Sequence, residues 1–151
     1  MRIPVSAIIG LVLTGAFLFI GLFAQWIAPY PIDMSVGGVW EGPSAAYWLG
    51  TDTIGRDIVS RLIYGAQVTI FVALASSILA FALGSFLGFL AAVRGGWIDQ
   101  GLSRAVDLVM AVPSLIVALV LLSVLPLNLT VLILVMGLLD STRVFRLSRA
   151  V

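Results

Sequence analysis

The sequence has 151 residues, of which 62% are hydrophobic and only 10% charged, with eight basic and seven acidic side chains. Soluble domains carry roughly 25% charged residues, so this composition indicates a chain whose solvent is lipid. A net charge of +1 argues against nucleic-acid binding, which needs a basic face. All basic residues are Arg, and the lack of His, Cys and Lys excludes disulfides, thiol or imidazole catalysis, most zinc sites and a P-loop lysine. We therefore expect no catalytic, cofactor or metal site.

Long uncharged stretches predict the membrane spans. The first, residues 5–27, is about 34 Å long as a helix and would cross a hydrocarbon core of about 30 Å. It exceeds the apolar core of a cleaved signal peptide and ends at Trp26, Pro29 and Tyr30, which favours an uncleaved anchor with interfacial aromatics. The second span is expected at residues 68–93.

The third uncharged stretch, residues 108–139, fits either one long helix or a hairpin broken at residues 125–128. The hairpin places six of the eight arginines on one side of the membrane, whereas a single helix leaves only three on that side and puts five on the other. The positive-inside rule favours the hairpin, with spans at 104–125 and 127–145 and both termini cytoplasmic. Pro113 is expected to kink the third span. The fold class predicted is therefore an all-α, polytopic helical bundle with about four transmembrane helices, forming one membrane domain over residues 1–151.

Small residues recur every four positions in the second span. This small-residue seam consists of Ser76, Ala80, Gly84, Gly88 and Ala92. Residues four apart share a helix face, and in lipid small side chains let two backbones approach closely. The seam is expected to pack against another span of this chain or against a separate subunit.

The segment at residues 28–67 is expected to lie outside the membrane. Its first half is rich in Pro and Gly, and an amphipathic pattern follows, which predicts a short periplasmic helix over 53–64. Asp52 is a plausible N-cap, Gly65 a plausible end, and Asp57 with Arg61 a plausible pair one turn apart. Such a helix would lie on the bilayer or across the mouth of the bundle.

Charged residues near the span ends are candidates for a transport path, but boundary ion pairs are the favoured interpretation. The expected pairs are Arg104 with Asp107 and Asp140 with Arg143. Asp107 and Asp140 would lie about one turn inside the membrane boundary. The arginines at 143, 146 and 149 form a stripe suited to anionic headgroups, or alternatively to an acidic partner.

Four segments together resemble one family. They are IAPYPID at 27–33, WLGTDTIGRDIVSRLIYGA at 48–66, RGGWID at 94–99 with Arg104, Asp107, Ala111 and Pro113, and RVFRLSRAV at 143–151. The sequence is similar to the N-terminal half of permease subunits of the dipeptide/oligopeptide/nickel-type ABC importers. The match at 48–66 is long and specific. Family members often have His where this chain has Tyr47 and Arg where it has Gln67.

The resemblance implies a non-catalytic subunit of a binding-protein-dependent importer in the bacterial or archaeal cytoplasmic (inner) membrane. The implied partners are a second permease subunit, two cytoplasmic ATPase subunits, a periplasmic or extracellular solute-binding protein, membrane lipid and a peptide-like solute or nickel chelate. It implies gating or structural roles at the outer face for Gly55, Arg56, Asp57 and Arg61. Relative to a six-span permease the chain looks truncated, ending before the EAA-type loop that docks on the ATPase.

One function from another class fits the span count and the seam equally well. A self-contained, homo-oligomeric membrane channel or scaffold would need the same apolar helices and small-residue packing. The motif at 48–66 and the spacing of residues 94–113 favour the permease. An intramembrane enzyme is less compatible, because no Ser–base or paired-Asp constellation is evident.

Overall fold

The computed structural model describes residues 4–149, which form five α-helices. They are α1 (Val5–Ile27), α2 (Ile58–Arg94), α3 (Gly96–Met110), α4 (Ser114–Val124) and α5 (Leu129–Arg149). Over this range there is no β-strand, only an isolated antiparallel bridge between Thr51 and Asp57. The prediction of an all-α membrane protein is confirmed. Two compact units divide the chain between Phe71 and Val72, and each is described by itself.

Helix α1 is apolar along its whole length and leaves most of its side chains exposed, as a lipid-facing helix does. Its buried residues are Gly21 and Ala24, and Phe23 interrupts the helical geometry with φ −107° and ψ 17°. A Cβ added to Gly21 would lie 2.8 Å from Cδ1 of Ile70 in α2. The first two helices thus meet through a small residue, which is typical of packing in membranes.

Helix α2 begins five residues later than the amphipathic helix expected over 53–64. Asp52 accepts hydrogen bonds from the backbone N–H groups of Ile54 and Arg56, which holds residues 52–56 in a turn. Asp57 is the residue that caps α2. Gly65 lies inside α2 instead of ending a helix, so the amphipathic stretch and the second span form one helix of 37 residues.

The second unit contains a sharp break at Pro113, where the sequence predicts a kink. Helices α3 and α4 are bent by 83° relative to each other across this break, because Pro113 cannot donate a backbone hydrogen bond and restricts the residue before it. The expected span at 104–125 is therefore two helices. Helix α4 packs on α5 around Ala118, Val135 and Leu139.

Within the described residues 4–149, α1 and α2 are long and apolar enough to cross a membrane, and α3 with α4 adds a third span if the bent pair is one span. Helix α5 is not among them, since its second half carries Asp140 and three arginines. The four-span arrangement and its boundaries stay predictions.

Candidate functional site

The connecting segment between α1 and α2 (residues 28–57) is an ordered structure built on backbone hydrogen bonds. Thr51, which is 1% exposed, donates its hydroxyl to the carbonyl of Gly38 at 2.6 Å and accepts the N–H of Glu41 at 2.9 Å. The carbonyl of Gly55 accepts the N–H groups of Val36 and Gly37 at 2.8 and 3.1 Å. These bonds tie the Gly-rich first half of the segment to residues 51–57.

Gly55 stands where only glycine fits. Its φ is +75°, and a Cβ there would overlap the carbonyl oxygen of Gly37. The left-handed conformation disfavours L-residues, and the contact excludes even a methyl group. The glycine of the GRD motif is therefore required by the backbone.

Asp52 organises the turn that follows Thr51. Its Oδ1 accepts the N–H groups of Ile54 and Arg56, both at 2.9 Å, and its Oδ2 accepts from Nη1 of Arg61 at 2.5 Å. These hydrogen bonds, first that from the Arg56 N–H, together with the charge of Arg61, lower the pKa of Asp52 below its ordinary value. The pair expected between Asp57 and Arg61 is replaced by one between Asp52 and Arg61.

Asp57, which is 3% exposed, caps α2. Its Oδ2 accepts both the N–H and the hydroxyl of Ser60, at 2.8 and 2.7 Å. The Ser60 Oγ in turn accepts the N–H of Tyr30 at 3.0 Å, which fastens the end of α1 to the start of α2. A carboxylate at a helix N-terminus also interacts favourably with the helix dipole.

Tyr47 also stabilises the connecting segment, of which it is a part. Its hydroxyl donates to the carbonyl of Val36 at 2.5 Å, and its ring lies 5.9 Å from that of Tyr30. Desolvation raises the pKa of Tyr47, with further contributions from Tyr30, Glu41 and Asp57. The phenol is therefore a neutral hydrogen-bond donor at physiological pH.

The guanidinium of Arg56 contrasts with these paired groups. Its Nε is buried and has no hydrogen-bond partner in the described part of the chain. No carboxylate of residues 4–149 lies within 4.0 Å of this guanidinium, whereas Arg61 has Asp52. Of the four predicted motif residues, Gly55, Asp57 and Arg61 thus have structural partners, and within residues 4–149 only Arg56 has a fully buried polar side-chain atom without one.

The small-residue seam in α2 faces α5 of the same chain. A Cβ on Gly84 would lie 2.6 Å from both the Ser141 carbonyl oxygen and Cβ of Val144. One on Gly88 would lie 2.8 Å from Cβ of Ser148. Ser76 and Ala80 are buried as expected. At the end of the seam Ala91 is buried and Ala92 is exposed. An α-helix has 3.6 residues per turn, so residues spaced by four gradually rotate away from the buried face.

Ion pairs also join α5 to α3. Arg146 contacts Asp107 at 2.5 Å and Arg149 contacts Asp99 at 2.6 Å. The expected pair between Arg104 and Asp107 is absent from the described residues, since Asp107 pairs with Arg146 instead. The expected pair of Asp140 with Arg143 is present at 4.0 Å. In residues 4–149 no group of three or more His, Cys, Asp or Glu could hold a metal ion.

The chain is similar in sequence to known transport proteins. Residues 84–150 match the family described as binding-protein-dependent transport system inner membrane component. The chain is 34% identical over 152 residues to the dipeptide transport system permease protein DppC of Haemophilus influenzae, covering 96% of this chain and 52% of that protein. Almost the whole chain is therefore similar in sequence to these transport permeases. It spans about half the length of the curated relatives that it matches.

The chain is also similar to permeases that are named for other solutes. The oligopeptide transport system permease protein OppC of Bacillus subtilis is 33% identical, over 93% of this chain and 47% of its own length. The glutathione transport system permease protein GsiD of Pectobacterium atrosepticum is 35% identical, over 66% of this chain and 34% of its own length. The family match covers the second half of the seam, from Gly84 onward, and the ion pairs between α3 and α5. The first half of the seam and the motif at 48–66 lie before it.

The structural roles of some residues were found only in the structure. Thr51, Ser60 and Tyr47 hold the connecting segment, and Asp99 binds Arg149. Thr51 and Ser60 lie in the match at 48–66 and Asp99 in the RGGWID match, but these matches did not indicate the contacts that the residues make. The stripe of Arg143, Arg146 and Arg149, expected to meet lipid or an acidic partner, finds acids within the chain itself.

Proposed function

We propose that this chain forms part of the membrane-spanning permease subunit of a binding-protein-dependent ABC importer for peptides or a related small solute, such as a nickel chelate. The observation that carries this proposal is the alignment of 96% of the chain with a relative named as a dipeptide permease. The apolar, exposed surfaces of α1 and α2 are consistent with a subunit that meets lipid and other membrane helices.

In this proposal the subunit is not catalytic. A second permease subunit completes the path, two cytoplasmic ATPase subunits drive its reorientation, and a periplasmic or extracellular solute-binding protein delivers the solute. The lack of Lys, His and Cys is compatible with a path whose ATP chemistry belongs to another subunit.

We further assign the motif of Gly55, Arg56, Asp57 and Arg61 to the outer face, where it would support the gate. This assignment is supported by the hydrogen bonds and the ion pair that hold the connecting segment in place. Gly55 and Asp57 fix the backbone at the start of α2, and the Arg61–Asp52 pair stiffens the same turn. A segment whose backbone is fixed in this way can move together with α2 when the gate changes conformation.

Uptake measurements in the source organism test the transport function. Deletion of the native gene is expected to reduce uptake of radiolabelled dipeptides, and the plasmid-borne native gene is expected to restore it. Restoration should fail with Gly55→Leu and succeed with Gly42→Ala, since a Cβ on Gly42 meets nothing within 4 Å. Unchanged uptake of di-, tri- and oligopeptides and of nickel in the deletion strain would contradict the proposal. Recovery of a homo-oligomer without any ATPase would instead favour a self-contained channel or scaffold.

We propose that both termini face the cytoplasm, with spans near 5–27, 68–93, 104–125 and 127–145. The support is the arginine distribution, in which six of eight lie on the cytoplasmic side under this arrangement. The ion pairs at Asp107 and Asp140 would then lie close to the cytoplasmic boundary, where charged side chains can reach water.

The absence of native cysteine makes this topology directly testable. Single replacements Ala46→Cys, Leu127→Cys and Leu147→Cys can be labelled with a membrane-impermeant maleimide. In intact spheroplasts we expect labelling at positions 46 and 127, and at 147 only after lysis. Labelling at 147 without lysis, together with protection at 127, would support the single third helix instead.

A further inference from the structure

A pocket of about 210 Å³ opens beside the start of α2, in the same unit as the connecting segment. Its lining includes Tyr30, Ala46, Trp48, Asp57 and Val59. The volume is below the roughly 300–1,000 Å³ of sites that enclose a whole small molecule. The pocket therefore suits one end of a ligand, a group of a few heavy atoms.

The pocket contains a buried carboxylate with spare hydrogen-bonding capacity. Asp57 is 97% buried, and its helix-capping role uses only Oδ2, which accepts both bonds from Ser60. The other oxygen, Oδ1, accepts no hydrogen bond from residues 4–149. A carboxylate has about four acceptor positions, so capping accounts for only part of what this side chain can bind.

Asp57 also lacks a cationic partner among residues 4–149. Arg61, one turn along α2, pairs with Asp52 instead, and no arginine nitrogen of the described residues lies within 4.0 Å of Asp57. A buried carboxylate is normally paired, because burial of an uncompensated charge is costly. The capping bonds and the helix dipole offset part of this cost, and Oδ1, which they leave unused, stays available to a cation.

The aromatic residues of the pocket favour the same class of ligand. Tyr30 and Trp48 line the pocket together with the acid, and Trp48 is 72% exposed, so an entering group can reach its ring. Tryptophan and tyrosine rings attract ammonium groups through their π-faces, and a carboxylate adds charge-assisted hydrogen bonds to N–H donors.

We propose that this pocket binds a primary ammonium group, with Asp57 as the charged acceptor and Tyr30 and Trp48 as the aromatic walls. Such a group is carried by the free N-terminus of a short peptide and by an ethanolamine lipid headgroup. Both sources share the chemistry that the pocket recognises. This inference does not depend on the proposed transport function, because it concerns binding to this chain alone.

Calorimetric titration of the purified protein in dodecyl maltoside, a detergent without an ammonium group, tests the proposal. The probes are dialanine, N-acetyl-dialanine, dihexanoyl phosphatidylethanolamine and dihexanoyl phosphatidylcholine. We expect saturable binding of dialanine or of the phosphatidylethanolamine, and none of N-acetyl-dialanine or of the phosphatidylcholine, whose nitrogen has no N–H. Dialanine binding identifies a peptide end as the source, and binding of the ethanolamine lipid alone identifies the headgroup.

Two variants and a control make the result specific to the pocket. Asp57→Asn keeps an oxygen for the N-cap but removes the charge, and should weaken binding at least about tenfold, equivalent to about 1.4 kcal/mol. Ala46→Leu fills the pocket without touching the acid and should also abolish binding. Asp33→Asn removes an exposed acid of the same segment and should change nothing.

No binding of either ammonium probe would overturn the proposal, as would equal binding of N-acetyl-dialanine. It would also be overturned if Ala46→Leu left the affinity unchanged, a result that stands even if Asp57→Asn misfolds. These outcomes are separate from the uptake assay, because a transport defect in the deletion strain does not require this pocket.

Discussion

Arg61 pairs with Asp52, nine residues earlier, and not with Asp57, which lies one helical turn away. This pairing follows from how the turn at residues 52–57 directs the two carboxylates. Asp57 uses its Oδ2 on Ser60 as the cap of α2, while Asp52 directs one oxygen to the turn N–H groups and the other to Arg61. The two acids therefore have different structural roles: Asp52 stabilises the turn, and Asp57 caps the helix.

This division predicts a pH dependence that belongs to Asp52. Its pKa is lowered in the folded protein, so its stabilising effect is complete above the ordinary value of about 3.9 and is lost as the pH falls through the folded pKa. The thermal midpoint of the native protein should exceed that of Asp52→Asn at pH 6, and the difference should shrink below about pH 3.9. Thermal unfolding in detergent, followed by tryptophan fluorescence at each pH, gives the midpoints of the native protein and of the variant.

The exposed Asp33 provides the matched control for this experiment. Asp33→Asn should leave the thermal midpoint and its pH dependence unchanged. A difference between the native protein and Asp52→Asn that stayed constant from pH 6 to pH 3 would show that the carboxylate charge contributes nothing to the turn.

A second prediction concerns the backbone at Gly55. Gly55→Ala should destabilise the protein by more than about 1–2 kcal/mol, because the left-handed conformation alone costs that much and the Cβ also meets a carbonyl oxygen. Gly42→Ala is the control, since a Cβ there has open space. Equal unfolding midpoints for the two variants in detergent would mean that the segment rearranges easily around position 55.

The sequence predicted those elements whose cause is local. The bounds of α1 coincide with the first apolar stretch, and the break at Pro113 follows from proline itself. The small-residue seam was visible from its spacing, although the spacing could not say that α5 is its partner. Patterns within one helix reveal a face, while the partner of that face depends on tertiary structure.

The errors arose where side chains bond over longer distances along the chain. The helix expected over 53–64 begins only at Ile58, because the Asp52 side chain stabilises a turn that competes with the helix. Asp107 pairs with Arg146, 39 residues away, instead of with the neighbouring Arg104. Helical spacing identifies pairs that are possible within one helix, and it contains no information on acids brought in by another helix.

The seam yields a third prediction. Gly84→Ala and Gly88→Ala should each destabilise the isolated chain by about 1–3 kcal/mol, because the added Cβ overlaps the backbone or side chains of α5. Gly65→Ala in the same helix meets nothing within 4 Å and should be neutral or slightly stabilising. Thermal unfolding in detergent gives the comparison. If the seam served only a separate subunit, the isolated chain would tolerate all three changes equally.

The last prediction ranks the three ion pairs of the second unit. The side chain of Asp99 is 20% exposed, whereas those of Asp107 and Asp140 are 59% and 53% exposed. Water screens exposed pairs, so the Asp99–Arg149 coupling should approach about 1 kcal/mol and the Asp107–Arg146 coupling only a few tenths. The Asp140–Arg143 pair, at 4.0 Å within one helix, should be near zero.

Double-mutant cycles measure the coupling energy of each pair separately from the other interactions of the two charged side chains. Asp99 lies in the first turn of α3 and Arg149 in the last turn of α5, so each single replacement also removes a favourable interaction with a helix dipole. Combining Asp99→Asn with Arg149→Gln cancels those contributions and leaves the pair energy. A coupling that vanishes for Asp99–Arg149 but persists for Asp107–Arg146 would contradict the ranking by burial. A coupling that survives high salt would locate the Asp99–Arg149 pair away from bulk water, where it can hold the end of α5 on α3.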